Sequence, residues 1–373
     1  ESREIGENQE DESIAALEAP FDLTRPPLLR ATLLGLSRER HILVLETHQI
    51  AIDGTSFEIF RREFIEQYQA LHRDGGGNDR EKEKGRAPFK SPLKVTVKDY
   101  CQWQEERNSA GELAVQEAYW QEQYREPVPV LEIPGKIPWS GEAKEEGRAM
   151  WSEIDAGMTR ELRRLARETG TTTFMVFMAA YSLLLHRRTG MTDIVVGVRI
   201  ASRPHAALEN VVGRFSNEVG LRTRPTPGMT FREYLAQVKE AALGLFKHQE
   251  YPFHRLPQRV AYPWPTRRPT LFDTMVVYNN MENQTAGVTV GDIKFGAYGL
   301  KRVKVLYDIF FQATEIGEEI QLLLHYPEAL FKQETMEGLL AEFQDILREV
   351  TEGKPKFPIN FAFGDQEPLW FSS

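Results

Sequence analysis

One cysteine, Cys101, occurs in 373 residues. A lone thiol excludes an internal disulfide and cannot assemble a zinc site by itself, and it fits a reducing, cytoplasmic compartment. Long hydrophobic runs are missing too. The most apolar stretch, Phe174 to Leu185, falls short of the roughly 20 residues that span a bilayer, and it carries Ser182. Positive charge is not in excess: 46 basic residues against 55 acidic leave a net charge of −9, which argues against a nucleic-acid partner, since such partners usually need a concentrated basic face. No signal peptide opens the chain, because Glu1-Ser-Arg-Glu is polar and acidic. It is not a methionine start either, so a piece of a longer protein is expected. No repeat stands out at solenoid periods. What remains, 41% hydrophobic and 27% charged, is an ordinary globular composition, long enough for two domains or one long one.

The chemistry concentrates in Glu46-Thr-His48-Gln49-Ile-Ala-Ile-Asp53-Gly54-Thr55-Ser56. The apolar run Ile42–Leu45 before it reads as a buried strand. Phe57, Phe60, Phe64 and Tyr68 after it fall at helical spacing. Asp53-Gly54 is a turn pair, and Thr55 and Ser56 are good helix N-caps. Strand, tight turn and helix can hold polar side chains rigidly at the mouth of a cleft. Taken alone, such a segment is more often a plain strand-to-helix turn with a buried, satisfied His48.

Elsewhere the pattern gives a hairpin over Ala31–Leu34 and Ile42–Leu45, closed at Ser37–Arg40. A helix runs from about Ser56 to His72, followed by a charged, glycine-containing loop. A second helix starts at Val97 and continues to about Tyr124, and Pro127, Pro129, Pro134 and Pro138 make an extended connector. A composition shift at Lys144–Arg148 divides the chain into lobes at 1–147 and 148–373. Beyond it the pattern predicts a strand at Met150–Ile154, an amphipathic helix at 158–169 and an all-round apolar helix at 174–187. A buried strand at 193–198 follows, then a helix opened by the capping box Thr230-x-x-Glu233. Strands near 303–313 and 319–326 precede a last helix at 335–350.

The central stretch resembles the His-His-x-x-x-Asp-Gly motif of the condensation domains of nonribosomal peptide synthetases, with His48, Asp53 and Gly54 matching and Gln49 in place of the second histidine. Further segments fit the same family in order. They are Phe21-Asp-Leu with Pro27-Leu-Leu-Arg30, and Asp99-Tyr100-x-x-Trp103, with Val97 and Cys101 departing from its pattern. The opening of the second lobe, 171–203, also fits. So do Gly213-x-Phe215-x-Asn217 with Leu221-Arg222, His248-Gln249-Glu250-Tyr251-Pro252-Phe253, and Arg268-Pro269-Thr-Leu271-Phe272. Together they cover Phe21 to about Val350. The strand and helix with which the family normally begins find no match, and the complete protein is expected to supply them.

The resemblance implies an α/β (α+β) fold of two chloramphenicol-acetyltransferase-like lobes, a V-shaped pseudodimer with a central tunnel. Donor and acceptor peptidyl carrier proteins feed it thioesters on phosphopantetheine arms. The domain itself binds no cofactor and no metal; its other partners are neighbouring synthetase domains, with no nucleic acid and no membrane. Position 49 is implied to do the chemistry, Gly54 to let the backbone approach the thioester and its N–H to stabilise an oxyanion. Asp53 is implied to pair with Arg203 across the lobe interface, and Asn217 to lie near the tunnel or in a turn. Along a strand His48 points away from Gln49, so it is expected to face the core. Glutamine is not a general base, though it hydrogen-bonds. A deliberate His→Gln change, a natural domain working by positioning, and a domain retired to a docking platform all stay open. A free acyl-CoA transferase, a cyclisation domain and an epimerisation domain are each disfavoured at positions 48 and 49.

Overall fold

The computed structural model describes residues 2–4, 10–17, 19–73, 93–138, 146–226, 228–260, 271–280, 288–296, 298–299 and 302–352. In chain order the elements are β1 (Ser2–Glu4), α1 (Glu10–Ala15), β2 (Leu29–Gly35), β3 (His41–Thr47), α2 (Gly54–Arg73), α3 (Val97–Ser109) and α4 (Ala114–Gln123). Next come β4 (Glu146–Ile154), α5 (Ala156–Thr169), α6 (Thr173–Thr189), β5 (Ile194–Ile200), β6 (Asn217–Thr223) and α7 (Phe231–Lys247). The chain continues through β7 (Thr274–Asn279), β8 (Thr289–Val290), β9 (Ile293–Lys294), β10 (Arg302–Lys304), β11 (Ile309–Ile316), β12 (Glu319–Pro327) and α8 (Gln333–Thr351). They divide into two units: Glu1–Val115, Ile200–Asn217 and Glu282–Val303 form the first, and Gln116–Arg199, Glu218–Met281 and Lys304–Ser373 the second. Each is assembled from three stretches of chain, so no single cut at residue 147 separates them. Among the described residues no helix is long and apolar enough to cross a membrane.

In the first unit, β2 and β3 form the expected antiparallel hairpin, with Leu33 opposite Leu43 and Ala31 opposite Leu45. Arg40 closes it by accepting the N–H groups of Leu36 and Ser37 through its carbonyl. β1 adds to β2 in parallel. One face of this sheet buries Leu34 and Ile42 with Leu17, just past α1. The helix expected to run from Val97 to Tyr124 is instead two. Thr96 and Asp99 cap α3 reciprocally, but Ala110 ends it and Gly111 turns the chain at φ 75° before α4 begins. A glycine adopts that left-handed backbone without the steric cost a Cβ would bring.

The second unit is built on a mixed sheet in which β4, β12, β11, β7, β5 and β6 lie side by side. β12 runs antiparallel to β4 and β11, whereas β7 runs parallel to β11 and β5. One sheet face, including Phe311, is covered by α6 and α8. Phe311 packs edge-on and tilted against Phe177, Tyr181 and Phe343 at 5.1–5.3 Å between ring centres. α6 is buried continuously from Met175 to His186, which is why its sequence shows no polar face. Arg222 ties the proline-rich connector to the sheet: it donates to the carbonyls of Gln123, Glu126 and Pro127 and pairs with Asp193 at 2.6 Å. The segment 248–253 serves packing here, His248 stacking on Tyr119 at 3.9 Å and its carbonyl accepting the Trp120 indole N–H at 2.9 Å. Strand β4 starts at Glu146, earlier than its apolar core suggests, and the 303–313 region is β10 and β11 separated by a turn.

The capping box at α7 forms as the spacing predicts: Thr230 Oγ1 accepts from the Glu233 N–H at 3.2 Å, and Glu233 Oε2 accepts the Thr230 N–H at 2.7 Å. Thr230→Ala orphans a helix-terminal donor and should cost about 1 kcal/mol in chemical denaturation. A change of less than about 0.3 kcal/mol means the box adds nothing to α7.

Candidate active site

Strand β3 ends at Thr47, one residue short of His48. The His48 N–H still reaches the Leu28 carbonyl at 3.3 Å, but its own carbonyl accepts from Ala51 at 2.9 Å, closing a turn over 48–51. Both His48 and Gln49 therefore lie in the turn beyond the strand. The alternation that would send them to opposite faces does not apply, and His48 is half-buried rather than in the core. Its Nδ1 accepts the Ile50 N–H at 3.2 Å, which leaves the proton of the neutral ring on Nε2. The Phe21 ring lies edge-on to it at 6.3 Å. Gln49 sits at the tip, its side chain exposed and its carbonyl accepting from Arg214 Nη1 at 3.3 Å.

Asp53 anchors the turn. It caps α2, with Oδ1 accepting the Ser56 N–H at 2.8 Å and its carbonyl the Phe57 N–H at 2.9 Å. The cap is therefore Asp53, and not Thr55 or Ser56 as the composition suggests. Asp53 also takes both arms of the Arg203 fork, each at 3.1 Å, and the backbone N–H groups of Phe215 and Ser216 at 2.9 and 3.0 Å. The side chains of Arg203 and Asp53 are only 6% and 3% exposed. Burial alone would raise the Asp53 carboxyl, but the hydrogen bonds from Arg203, Ser56 and Phe215 outweigh it and hold the pKa below the ordinary carboxylate value. The resemblance implies this pair across the lobe interface; both residues belong to the first unit, so the clamp is internal to it.

Ser56, which the sequence offers only as a cap, completes the clamp. Its Oγ donates to the Gly213 carbonyl at 2.7 Å and accepts from the Gly213 N–H at 3.0 Å and from Arg203 at 2.7 Å. The Arg203 guanidinium lies 4.5 Å over the Phe215 ring, and Phe215 packs with Tyr100, Leu208 and Val211. The Asp99–Trp103 motif thus supports this loop through Tyr100, whereas Trp103 is 40% exposed. Gly213 is required by contact: a Cβ there would stand 2.4 Å from Val97 Cγ2. Gly54 is the first residue of α2, exposed, with nothing within 4 Å of a Cβ position, so its place borders open space. Asn217 opens β6, half-buried, two residues past Phe215. Among the described residues no group of three or more His, Cys, Asp or Glu could hold a metal ion.

A turn held at both ends by a buried aspartate and a loop 150 residues away is a specific arrangement, and a condensation domain family model matches the chain over residues 2–358. The chain belongs to the condensation domain family. It is 34% identical over 347 residues, 93% of its length, to gramicidin S synthase 2 of Brevibacillus brevis. It is 34% identical over 341 residues, 91% of its length, to tyrocidine synthase 3 of Brevibacillus parabrevis. It spans only 7% and 5% of those two proteins. Among solved structures it is similar to the X-domain from teicoplanin biosynthesis, at a TM-score of 0.80 and 23% identity, covering 96% of this chain and 79% of that one. The condensation domain here therefore has the mixed α/β fold that its motifs implied. Two residues of its site do not stand out from the pattern. Ser56 is signalled by its place three residues past Asp53, while Arg214 occupies the unspecified position of Gly-x-Phe.

Proposed function

We propose that this condensation domain forms amide bonds within a nonribosomal peptide synthetase, between a donor acyl or peptidyl thioester and an acceptor aminoacyl thioester. The observation that carries this reading is the Asp53–Arg203–Ser56 clamp, which presents the 48–51 turn with Gln49 exposed at its tip. The acceptor amine attacks the thioester carbon, the C–N bond forms, the C–S bond breaks, and the proton leaves the amine as the thiol is released. Carrier proteins deliver the substrates on phosphopantetheine arms, in the cytoplasm, and the domain contributes no cofactor of its own. Gln49 orients the amine by hydrogen bonds, since its amide takes no proton near neutral pH. Tethering supplies much of the acceleration that a base would otherwise give. The Gly54 N–H, at the positive end of α2, offers a hydrogen bond to a developing oxyanion. Asn217 lines the substrate path.

Gln49 itself favours a second reading, a docking platform for carrier proteins or tailoring enzymes with the same fold and no turnover. Loaded donor and acceptor carriers separate the two. Amide product above the uncatalysed background supports the synthetic role; undiminished carrier binding without product supports the platform.

A further inference from the structure

Arg214 stands apart from the other charged groups around the turn. Its backbone is fixed on both sides: Gly213 is bonded twice to Ser56, and the Phe215 and Ser216 N–H groups are held by Asp53. Its side chain is exposed and reaches back to the Gln49 carbonyl at 3.3 Å, the one polar contact of that side chain among the described residues. The neighbouring acids have arginines of their own. Glu46, on β3, is held by Arg30 of β2 at 3.1 Å. Asp53 is held by Arg203. Asp22, beside the Phe21 that touches His48, pairs with Arg25 at 3.4 Å. Glu209 is exposed further back along the Arg214 loop, and His48 is half-buried within the turn. The start of α2 adds the positive end of a helix next to Asp53.

We propose that Arg214 is a positioning residue for position 49. It fixes the turn through the Gln49 carbonyl and sets a permanent positive charge at the backbone of that position. A neutral hydrogen-bonding residue suits that field, as does an oxyanion forming nearby, whereas an imidazole placed there is held in its uncharged form. The inference rests on position 49 being the reacting end of the motif.

Its test does not depend on product formation. The full chain carrying Gln49→His is titrated by NMR, following the new imidazole against the other histidines. The pairs Gln49→His with Arg214→Met and Gln49→His with Arg214→Lys are titrated alongside. The single variant should titrate below the ordinary imidazole value, and Arg214→Met should raise it by about half a pH unit, the size expected for an exposed charge pair. Arg214→Lys should leave it low, because lysine keeps the charge. The proposal is overturned if Met and Lys move the titration equally, or if neither moves it. A domain that makes no amide at all can still pass this test, so the two failures are distinguishable.

Discussion

Arg203→Met should lower the unfolding free energy by about 3–5 kcal/mol at neutral pH, because it strands a buried carboxylate without its counter-charge. The fork gives Asp53 two hydrogen bonds, and the same guanidinium reaches Ser56 and the Leu208 and Val211 carbonyls. Losing it also frees the 200–216 loop, so the Phe215 and Ser216 amides that Asp53 now holds should exchange faster with solvent. The pH dependence has a definite sign. In the native chain the Asp53 carboxyl is depressed, so its contribution is present above the unfolded value near ~4 and lost as pH falls through the folded value. Without Arg203 the largest of the hydrogen bonds that hold the carboxyl down is gone, so it protonates more readily in the folded variant than in the native chain. The gap between native and variant should therefore be largest at pH 7 and shrink below about pH 4. Urea titrations at both pH values measure it, and a pH-independent gap, or one under about 1 kcal/mol at pH 7, overturns the account. Asp53→Leu combined with Arg203→Met should recover part of the loss, since an apolar pair leaves no charge unpaired.

What could be read from the residues was local. The β2–β3 hairpin follows from alternating apolar positions around a polar turn, α6 from apolar residues on every side, and the α7 capping box from a spacing of three. Each depends on neighbours in sequence. The Asp53–Arg203 pair joins residues 150 apart, and nothing in the spacing of either segment specifies it; it came from the family pattern. Such a pattern places residues but not the reach of elements. β3 stops at Thr47 because His48 turns its carbonyl to Ala51, so a period-two argument carried one residue too far gave His48 the wrong environment. The break between α3 and α4 was equally hidden, since one glycine in a polar stretch is tolerated inside many helices and here adopts a left-handed backbone. Arg214 was invisible for another reason: a side chain that matters through a backbone carbonyl 165 residues away leaves no periodicity.

Gln49→His should raise the rate of amide formation between loaded carriers by about 10²-fold, the lower end of what a general base contributes. The lower end is the reasonable figure because the amine is already nucleophilic, tethering already positions it, and Arg214 makes the new imidazole a weaker base. The gain should appear in kcat with KM little changed, since the substitution adds an interaction with the departing proton and not with the resting thioester. It should also bring a pH limb that the native chain lacks, with activity falling as pH drops through the imidazole pKa, because only the neutral ring accepts a proton. Gln49→Ala provides the opposing control. If glutamine orients the amine, alanine loses that hydrogen bond and the native rate falls by about 10-fold. If Gln49 is inert, alanine and glutamine behave alike while histidine still gains. Equal rates for all three residues at this position would mean that the exposed tip of the turn does not meet the reacting atoms, and the catalytic assignment of the 48–54 segment would be lost even though the family and the Asp53 clamp remain.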